Sequence, residues 1–424
     1  MYSEEPPYYK IGFKNDGENS SYYSSDITKE EATMVDSFMK ENKISPLNSR
    51  LIKDGDVYEV KLASTKQVLD KDLPYLKEHT FEGKKIKVTR SDFDFAMEEI
   101  VNNLRLAKKY AANNTQKQMI DHYIHNFVSG DMDAHKEAMK KWITDVNPSI
   151  ETNIGYIETY LDPLGVRAEY EGFVSIVNKE VSKMFGKLVD NAEELIAYLP
   201  WSKEFEKDKF NKPDFTSLNV LAFACSGTPI GINLPNYDDI RENLGYKNVD
   251  LSNAYPKPKY ENLQYMKKEM KDDYFKYSND SLTLMVALHE LLGHGTGKLL
   301  TKNVDSGELN FDPEKVKNPF TNEEITSFYM STETWSSKFG KLHSGYEECR
   351  ADTVALYLAH YKEPYGIFFN GREDEWFDIE YVMWLDTIRG ALTGLVYYDE
   401  KSKVWGQAHI IAGYVSKLLF SYCY

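Results

Sequence analysis

The chain has 424 residues, 42% of them hydrophobic, which is enough for two or three domain-sized units with a large core. Its formal net charge is −16, from 67 acidic against 51 basic residues, with no long basic run. That balance argues against nucleic acid or an anionic membrane as a partner. No segment reaches the roughly 18 uninterrupted apolar residues of a membrane span, and three cysteines do not make a disulfide framework. The composition predicts a soluble protein of a reducing, cytoplasmic compartment.

In chain order, the N-terminal half contains predicted helices and short predicted strands. Thr28–Asn42 is predicted to be a helix because Thr28 and Glu31 form a capping-box pattern. Asp56–Ser64 alternates as a strand does, and Lys85–Thr89 is a second, short candidate. Helical patterns follow over two stretches, Ser91–Trp142 and Val174–Leu199.

The next segments have a different character. Phe215–Phe223 predicts a buried strand, which runs into a loop rich in Gly, Pro and Asn, Ser226–Asp239. Such a loop either displays binding groups or only connects two elements, and both interpretations stay open. Asn253–Asn279 is polar and tyrosine-rich and is predicted to be a surface excursion, whereas Asp378–Tyr424 predicts two more helices.

The most informative stretch is Ser281–Lys298, SLTLMVALHELLGHGTGK, an apolar run that contains His289, Glu290 and His294. Ionisable groups in an apolar helix are costly unless they are paired or bind a metal. In the zinc motif H-E-x-x-H the histidines are four residues apart on one helix face, and the glutamate is the general base. Here they are five apart, which puts the second imidazole about 140° round an ideal α-helix from the first.

Both imidazoles can reach one ion only if the helix takes in an extra residue, as a π-type bulge or a local unwinding. Gly293, just before His294, is a residue that permits such a distortion. The alternative is two ordinary, partly buried histidines.

A second motif, Tyr346–Ala359 (YEECRADTVALYLA), is predicted to be a helix with Glu348 and Asp352 on one face. Catalytic zinc sites typically have three protein ligands and leave a fourth position for water, so Glu348 is the candidate third ligand. Asp352 and Glu347 are suited to accept hydrogen bonds from the ligand imidazoles. The alternative is a solvated acidic helix start with Arg350 as its counter-ion.

Together, HELLGH at His289–His294 and EECRAD at Glu347–Asp352 resemble the dipeptidyl peptidase III family, the M49-type zinc exopeptidases. The similarity covers nearly the whole chain, loosely before about Ser91 and closely after Glu151. Other segments that resemble the family are IETYLDP, GINLPNYDD, ETW and WGQAHI.

The resemblance implies an α+β fold with two lobes around a wide cleft. A β-containing lower lobe with a small, incomplete β-barrel core is expected to comprise residues 1–178 and 217–259. A mostly helical, zinc-binding catalytic lobe is expected to comprise residues 179–216 and 260–424.

The resemblance also implies a metal site with one Zn²⁺ per chain. His289, His294 and Glu348 would be the ligands. Glu347 and Asp352 would hydrogen-bond the ligand histidines and fix their tautomer.

Catalytic and substrate-binding roles are implied in the same way. Glu290 would be the general base for a zinc-activated water and pass the proton to the leaving amine. Tyr160 and His409 would stabilise the oxyanion. The free N-terminus and the first backbone groups of the peptide would be bound by Glu158, Asn233 and Asn236. An ammonium anchored two residues from the zinc allows one register only, so dipeptides would be released.

These roles predict a zinc metallopeptidase, an exopeptidase that releases dipeptides from the free N-terminus of short oligopeptides. The protein is expected to act as a monomer, without nucleic acid or membrane partners.

The sequence departs from the family pattern at several points. It is shorter at both ends than family members, and Gly413 stands where an arginine usually follows His409 by one turn. Asp352 replaces a more usual glutamate, and Ser336 follows Trp335 where an aspartate is common. The alternative function is therefore a catalytically impaired, zinc-containing peptide-binding protein resulting from truncation. An unrelated metallohydrolase is a third possibility. The retained base, Glu290, favours catalysis.

Overall fold

The computed structural model describes residues 11–67, 69, 73–255, 259–263, 266–400, 403–405 and 408–423, which fall into two compact units. Unit 1 contains the described residues of three segments, Met1–Ser175, Leu221–Thr228 and Pro235–Leu244. Unit 2 contains those of Ile176–Val220, Pro229–Leu234 and Gly245–Tyr424.

Unit 1 begins with helix α1 (Lys29–Glu41), whose N-terminus has the predicted capping box. Glu31 N donates to Thr28 Oγ1 at 3.3 Å, and Thr28 N donates to Glu31 Oε2 at 3.0 Å. A four-stranded sheet follows in the order β1-β2-β4-β3, with strands β1 Ser49–Asp54, β2 Val57–Ala63, β3 Glu78–Phe81 and β4 Lys84–Asp92. The two predicted strands are confirmed as β2 and part of β4; β1 and β3 have no clear pattern in the sequence.

The core of this part of unit 1 lies between α1 and the sheet. Val35 and Phe38 of α1 and Leu51 and Val60 of the paired strands β1 and β2 are buried in one cluster. The predicted helical region that follows is confirmed as three helices, α2 Asp94–Ala107, α3 Asn114–Ser129 and α4 Met132–Thr144.

Five further strands form an open sheet in the order β5-β6-β7-β9-β8. They are β5 Ile150–Tyr156, β6 Tyr170–Val177, β7 Asp214–Ala224, β8 Gly231–Leu234 and β9 Lys247–Asp250. β7 is the predicted strand, but it is buried only over residues 215–218, and Leu221 in its second half is 63% exposed. β7 runs parallel to β9, and β8 runs antiparallel to β9. Both larger sheets have edge strands, so the expected barrel core is not formed by the described strands.

The other helices are α5 Lys179–Asp190, α6 Ala192–Ile196, α7 Asp238–Asn243, α8 Lys268–Leu288, α9 Trp335–Phe339, α10 His343–Leu358, α11 Lys362–Phe368, α12 Trp376–Thr393 and α13 Ala408–Cys423. Two short strand pairs complete the description, β10 Thr301–Lys302 with β11 Tyr329–Met330, and β12 Tyr398–Asp399 with β13 Val404–Trp405. All except α7 lie in unit 2. None of the described helices is long and apolar enough to cross a membrane.

The core of unit 2 surrounds α8, which starts earlier than the sequence indicates. The predicted surface excursion Asn253–Asn279 is wrong for nearly half its length, because residues 268–279 form the N-terminal half of α8. Tyr274 and Tyr277 are only 2% exposed and bury one face of this polar stretch. Further along, the apolar residues of α8 pack in one cluster with those of α10, including Val354 and Ala355.

Candidate metal centre

Two histidines are brought together where α8 ends. The helix continues into a π turn over His289–Gly293, and His294 N donates to His289 O at 3.0 Å, a hydrogen bond that spans five residues. The two imidazole centroids lie 4.8 Å apart with the ring planes at 87°. The extra residue that the five-residue spacing requires is therefore present, and the predicted π-type bulge is confirmed.

Gly293 has a different reason from the expected one. The backbone of Gly293 is not in the left-handed region, so the π turn does not require the conformational freedom of glycine. A Cβ there would lie 2.8 Å from both Cα and O of Ala351, a backbone contact that atoms do not tolerate. Glycine at this position allows α10 to approach the π turn closely, and α10 carries the second motif.

This approach places Glu348 against both histidines. Glu348 Oε2 lies 3.2 Å from His289 Nε2 and 3.7 Å from His294 Nε2. The candidate ligand atoms of the three residues all lie within 4.8 Å of one another. Atoms bonded at about 2 Å to one tetrahedral zinc ion are about 3.3 Å apart, so only small side-chain movements separate this arrangement from a ligand set.

The outer nitrogens of the histidines are already engaged. His289 Nδ1 is 2.8 Å from Asp352 Oδ1, and His294 Nδ1 is 2.9 Å from Glu347 Oε1. With Nδ1 directed at a carboxylate, each histidine turns its Nε2 toward Glu348, the orientation in which Nε2 can bind a metal. The two carboxylates expected to hydrogen-bond these histidines are therefore in contact with them.

Arg350, which the sequence presented only as a counter-ion, holds Glu347 in place. Its Nε and Nη2 donate to the two carboxylate oxygens of Glu347 at 3.0 and 2.6 Å, and its Nη1 donates to Thr296 O at 3.1 Å. Burial alone would raise the pKa of Glu347, but Arg350 and the hydrogen bond with His294 lower it to about 2. Glu347 is thus kept ionised as an acceptor for His294.

The remaining charges favour a cation between the three side chains. Glu348 is 5% exposed, and its Oε2 is buried without a hydrogen-bond partner. Burial would raise the pKa of Glu348, but the surrounding histidines lower it below its usual range. Burial would lower the pKa of His289, but the neighbouring carboxylates of Asp352 and Glu348 raise it well above the usual value. Two imidazoles, once an ion takes the place of any Nε2 proton, and a buried carboxylate are a donor set that fits zinc.

Glu290 and His409 complete the group in unit 2. Glu290 is 6% exposed, its Oε2 has no hydrogen-bond partner, and burial raises its pKa despite the nearby histidines. A carboxylate with a raised pKa suits proton transfer. His409, near the start of α13, places Nε2 3.4 Å from Glu348 Oε2 with its side chain 49% exposed. One turn on, a Cβ at Gly413 would meet only Ala391 N, at 3.9 Å.

The other expected substrate residues divide between the units. Asn233 belongs to unit 2, and its Nδ2 donates to Glu290 O at 2.9 Å and to Asn248 Oδ1. Glu158, Tyr160 and Asn236 belong to unit 1. Asn236 Nδ2 donates to Glu158 Oε1 at 3.0 Å, so the structure brings these two together as a pair.

Two carboxylates near Glu158, one buried and one half-buried, are missed by the sequence reasoning. Burial, reinforced by the charge of Glu158, raises the pKa of Glu169 to about 7 although Ser226 donates a hydrogen bond to it. Burial, followed by repulsion from Glu158 and Glu169, raises the pKa of Glu171 to about 8. Alternating residues of a strand share a face, so the pattern E-Y-E of Glu169–Glu171 was the available signal.

Comparison with known proteins agrees with this geometry. The chain matches Peptidase family M49 over residues 1–421. It is 45% identical to dipeptidyl peptidase 3 of Rattus norvegicus over 429 residues, which cover 98% of this chain and 58% of the relative. It is 43% identical to dipeptidyl peptidase 3 of Dictyostelium discoideum over 422 residues, which cover 98% and 60%. The chain thus spans about three fifths of the length of these relatives.

Solved structures show the same fold. The chain aligns with DPP III from Caldithrix abyssi at a TM-score of 0.60 and 18% identity, covering 92% of this chain and 64% of that one. It aligns with dipeptidyl-peptidase III from Corallococcus sp. strain EGB at a TM-score of 0.59 and 16% identity, covering 95% and 70%. The mixed helix and sheet fold of the family is therefore present, and the chain belongs to Peptidase family M49.

Proposed function

We propose that this protein is a zinc-dependent exopeptidase that releases dipeptides from the free N-terminus of short oligopeptides. The observation that carries the proposal is the π turn, which lets histidines five residues apart converge with Glu348 beside a buried glutamate. The family and the names of the curated relatives support the same activity. We include in the proposal two lobes around a cleft with the boundaries expected from the sequence; small-angle scattering with and without peptide tests that arrangement.

In the proposed mechanism, His289, His294 and Glu348 would hold zinc, which when bound would supply Lewis acidity toward the attacking water and the peptide carbonyl. Glu290 takes the proton of the attacking water and passes it to the leaving amine. Its raised pKa brings it closer to the operating pH, where a group both accepts and returns a proton efficiently. His409 stabilises the developing oxyanion.

Substrate orientation is assigned to the polar groups of unit 1 and to Asn233. Tyr160 donates a hydrogen bond to the oxyanion. Glu158 and Asn236, which already form a pair, bind the peptide ammonium. Both hydrogens of Asn233 Nδ2 are directed to protein acceptors, so Asn233 would contact an ammonium through Oδ1. Glu169 and Glu171 would add negative charge on the same side, to the extent that they are ionised.

The alternative function is a zinc-containing peptide-binding protein with impaired catalysis. The observation that favours it is Gly413, which has no side chain with which to bind a carboxylate or an oxyanion. Against it stands Glu290, because a binding protein has no use for a buried base whose oxygen lacks a partner.

Product analysis separates the two functions. The zinc-loaded protein is mixed with an unlabelled hexapeptide, and the fragments are identified by mass spectrometry. We expect the N-terminal dipeptide, abolished by a chelator, by Glu290→Gln and by N-acetylation of the peptide. An intact free hexapeptide with a filled zinc site would refute the peptidase and leave the binding protein.

A further inference from the structure

Strand β8 contacts Glu290 at two places, its backbone and its carboxylate. Asn233 Nδ2 donates to the Glu290 carbonyl oxygen at 2.9 Å. Two residues earlier, a Cβ built on Gly231 would lie 2.5 Å from Glu290 Oε1 and 3.0 Å from Cδ. Both contacts come from one face of the strand, because residues two apart point the same way.

The backbone contact follows from the π turn. A π turn shifts the helical hydrogen bonds by one residue and ends the helix, so carbonyls in it need other donors. Asn233 supplies one of them to Glu290. Its amide is held in that orientation by Asn248, which is fully buried and lies directly opposite Asn233 in the β8–β9 register.

The side-chain contact depends on glycine. Any Cβ at position 231 would penetrate the carboxylate of Glu290, and it would also lie 2.9 Å from Val286 Cγ1, one turn earlier on α8. The backbone of Gly231 is held by its pairing with Asp250 on β9, so the strand has little freedom to retreat. Glu290 would therefore have to move.

We propose that Gly231 and Asn233 are positioning residues for Glu290, and that β8 acts as a seat that fixes the height and direction of this carboxylate. The inference rests on the proposed function, in which Glu290 accepts the proton. Neither residue is a candidate zinc ligand, so the contact of β8 with Glu290 should affect proton transfer and leave metal affinity unchanged.

The first test compares Gly231→Ala with Gly227→Ala. Gly227 precedes the same strand, and no heavy atom lies within 4 Å of a Cβ there. Misplacing a reacting group by about 1 Å can cost about 100-fold, so we expect Gly231→Ala to lower kcat by about tenfold or more. KM and the zinc dissociation constant should stay within about twofold, and Gly227→Ala should match the wild type. Unchanged kcat in Gly231→Ala would overturn the proposal.

A second measurement does not need activity. Thermal unfolding is recorded for Gly231→Ala, Glu290→Ala and the double variant. Overpacking against Glu290 should lower the Tm of Gly231→Ala by about 2 °C, and Glu290→Ala should remove most of that loss. Contact with Val286 is common to both backgrounds and cancels in the cycle. Equal losses of Tm in both backgrounds would overturn the proposal that β8 positions Glu290.

The two measurements distinguish the proposals. An inactive wild type whose thermal cycle shows coupling would refute the peptidase and support the seat. An active wild type without coupling would refute the seat and support the peptidase.

Discussion

Replacing Gly293 with alanine perturbs the point at which α10 meets the π turn. The added Cβ would lie 2.8 Å from Cα and O of Ala351 and 2.9 Å from its Cβ. Carbon atoms normally pack at about 3.6 Å, so the two segments must separate by about 0.8 Å. Glu348 stands one turn before Ala351 on α10 and would move with it.

Two effects on stability oppose each other. Overpacking of a buried contact costs about 1–3 kcal/mol. Alanine in place of glycine in a helical segment returns about 0.5–1 kcal/mol. The metal-free protein should therefore lose about 0–2.5 kcal/mol. Zinc binding is more sensitive, because metal–ligand distances tolerate only about 0.2 Å. A shift several times larger should raise the zinc dissociation constant by about tenfold or more, which is a loss of about 1.4 kcal/mol in binding free energy.

The assay is competition with a calibrated zinc chelator, with urea unfolding of the metal-free protein alongside. Gly186→Ala in α5 is the matched control, because no heavy atom lies within 4 Å of a Cβ there. It should stabilise the protein by about 0.5–1 kcal/mol and leave zinc affinity unchanged. Zinc affinity of Gly293→Ala within twofold of the wild type would refute the argument that this glycine exists for the approach of α10.

Three further predictions follow from individual contacts. Asp352→Ala removes the acceptor of His289 Nδ1 and should raise the zinc dissociation constant about 10–100-fold by chelator competition; an unchanged value would contradict it. Burial lowers the pKa of His135 to about 4, so its contribution to stability is present above pH 6.5 and is lost as pH falls towards 4. Between pH 7 and 5 the free energy of unfolding of the wild type, measured with urea, should fall by about 2 kcal/mol more than that of His135→Gln. Equal falls would contradict the lowered pKa of His135. A Cβ at Gly413 makes only an ordinary contact, with Ala391 N, and Gly413→Arg should raise kcat/KM by about tenfold or more with zinc affinity unchanged. An unchanged or lower kcat/KM would contradict the idea that the missing arginine limits turnover.

Much of the metal centre is predictable because its signals are local. Histidines five residues apart, His289 and His294, can reach the same ion only if the helix takes in an extra residue, and the π turn does this. The capping box of α1 is likewise decided within four residues. The positions of Glu347 and Asp352 on α10 follow from helical periodicity once the motif His289–His294 is known.

What the sequence does not indicate depends on contacts between distant segments. Nothing near Gly231 in the chain signals that Glu290, 59 residues later, will lie against it. Strand β5 has polar residues in place of an apolar run, and the partner of its buried Glu151 is Trp142, whose Nε1 donates to Glu151 Oε1 at 2.6 Å. The start of α8 is masked by its charged residues, and only the burial of Tyr274 and Tyr277 reveals the inner face.

X-ray absorption at the zinc edge measures whether histidines five residues apart hold one zinc ion together. For the protein loaded with one equivalent, we predict two imidazole nitrogens at about 2.0–2.1 Å with oxygen ligands completing the shell. His294→Ala should reduce the imidazole count to one. A spectrum without two imidazoles, or one that His294→Ala leaves unchanged, would show that His289 and His294 do not bind the same ion.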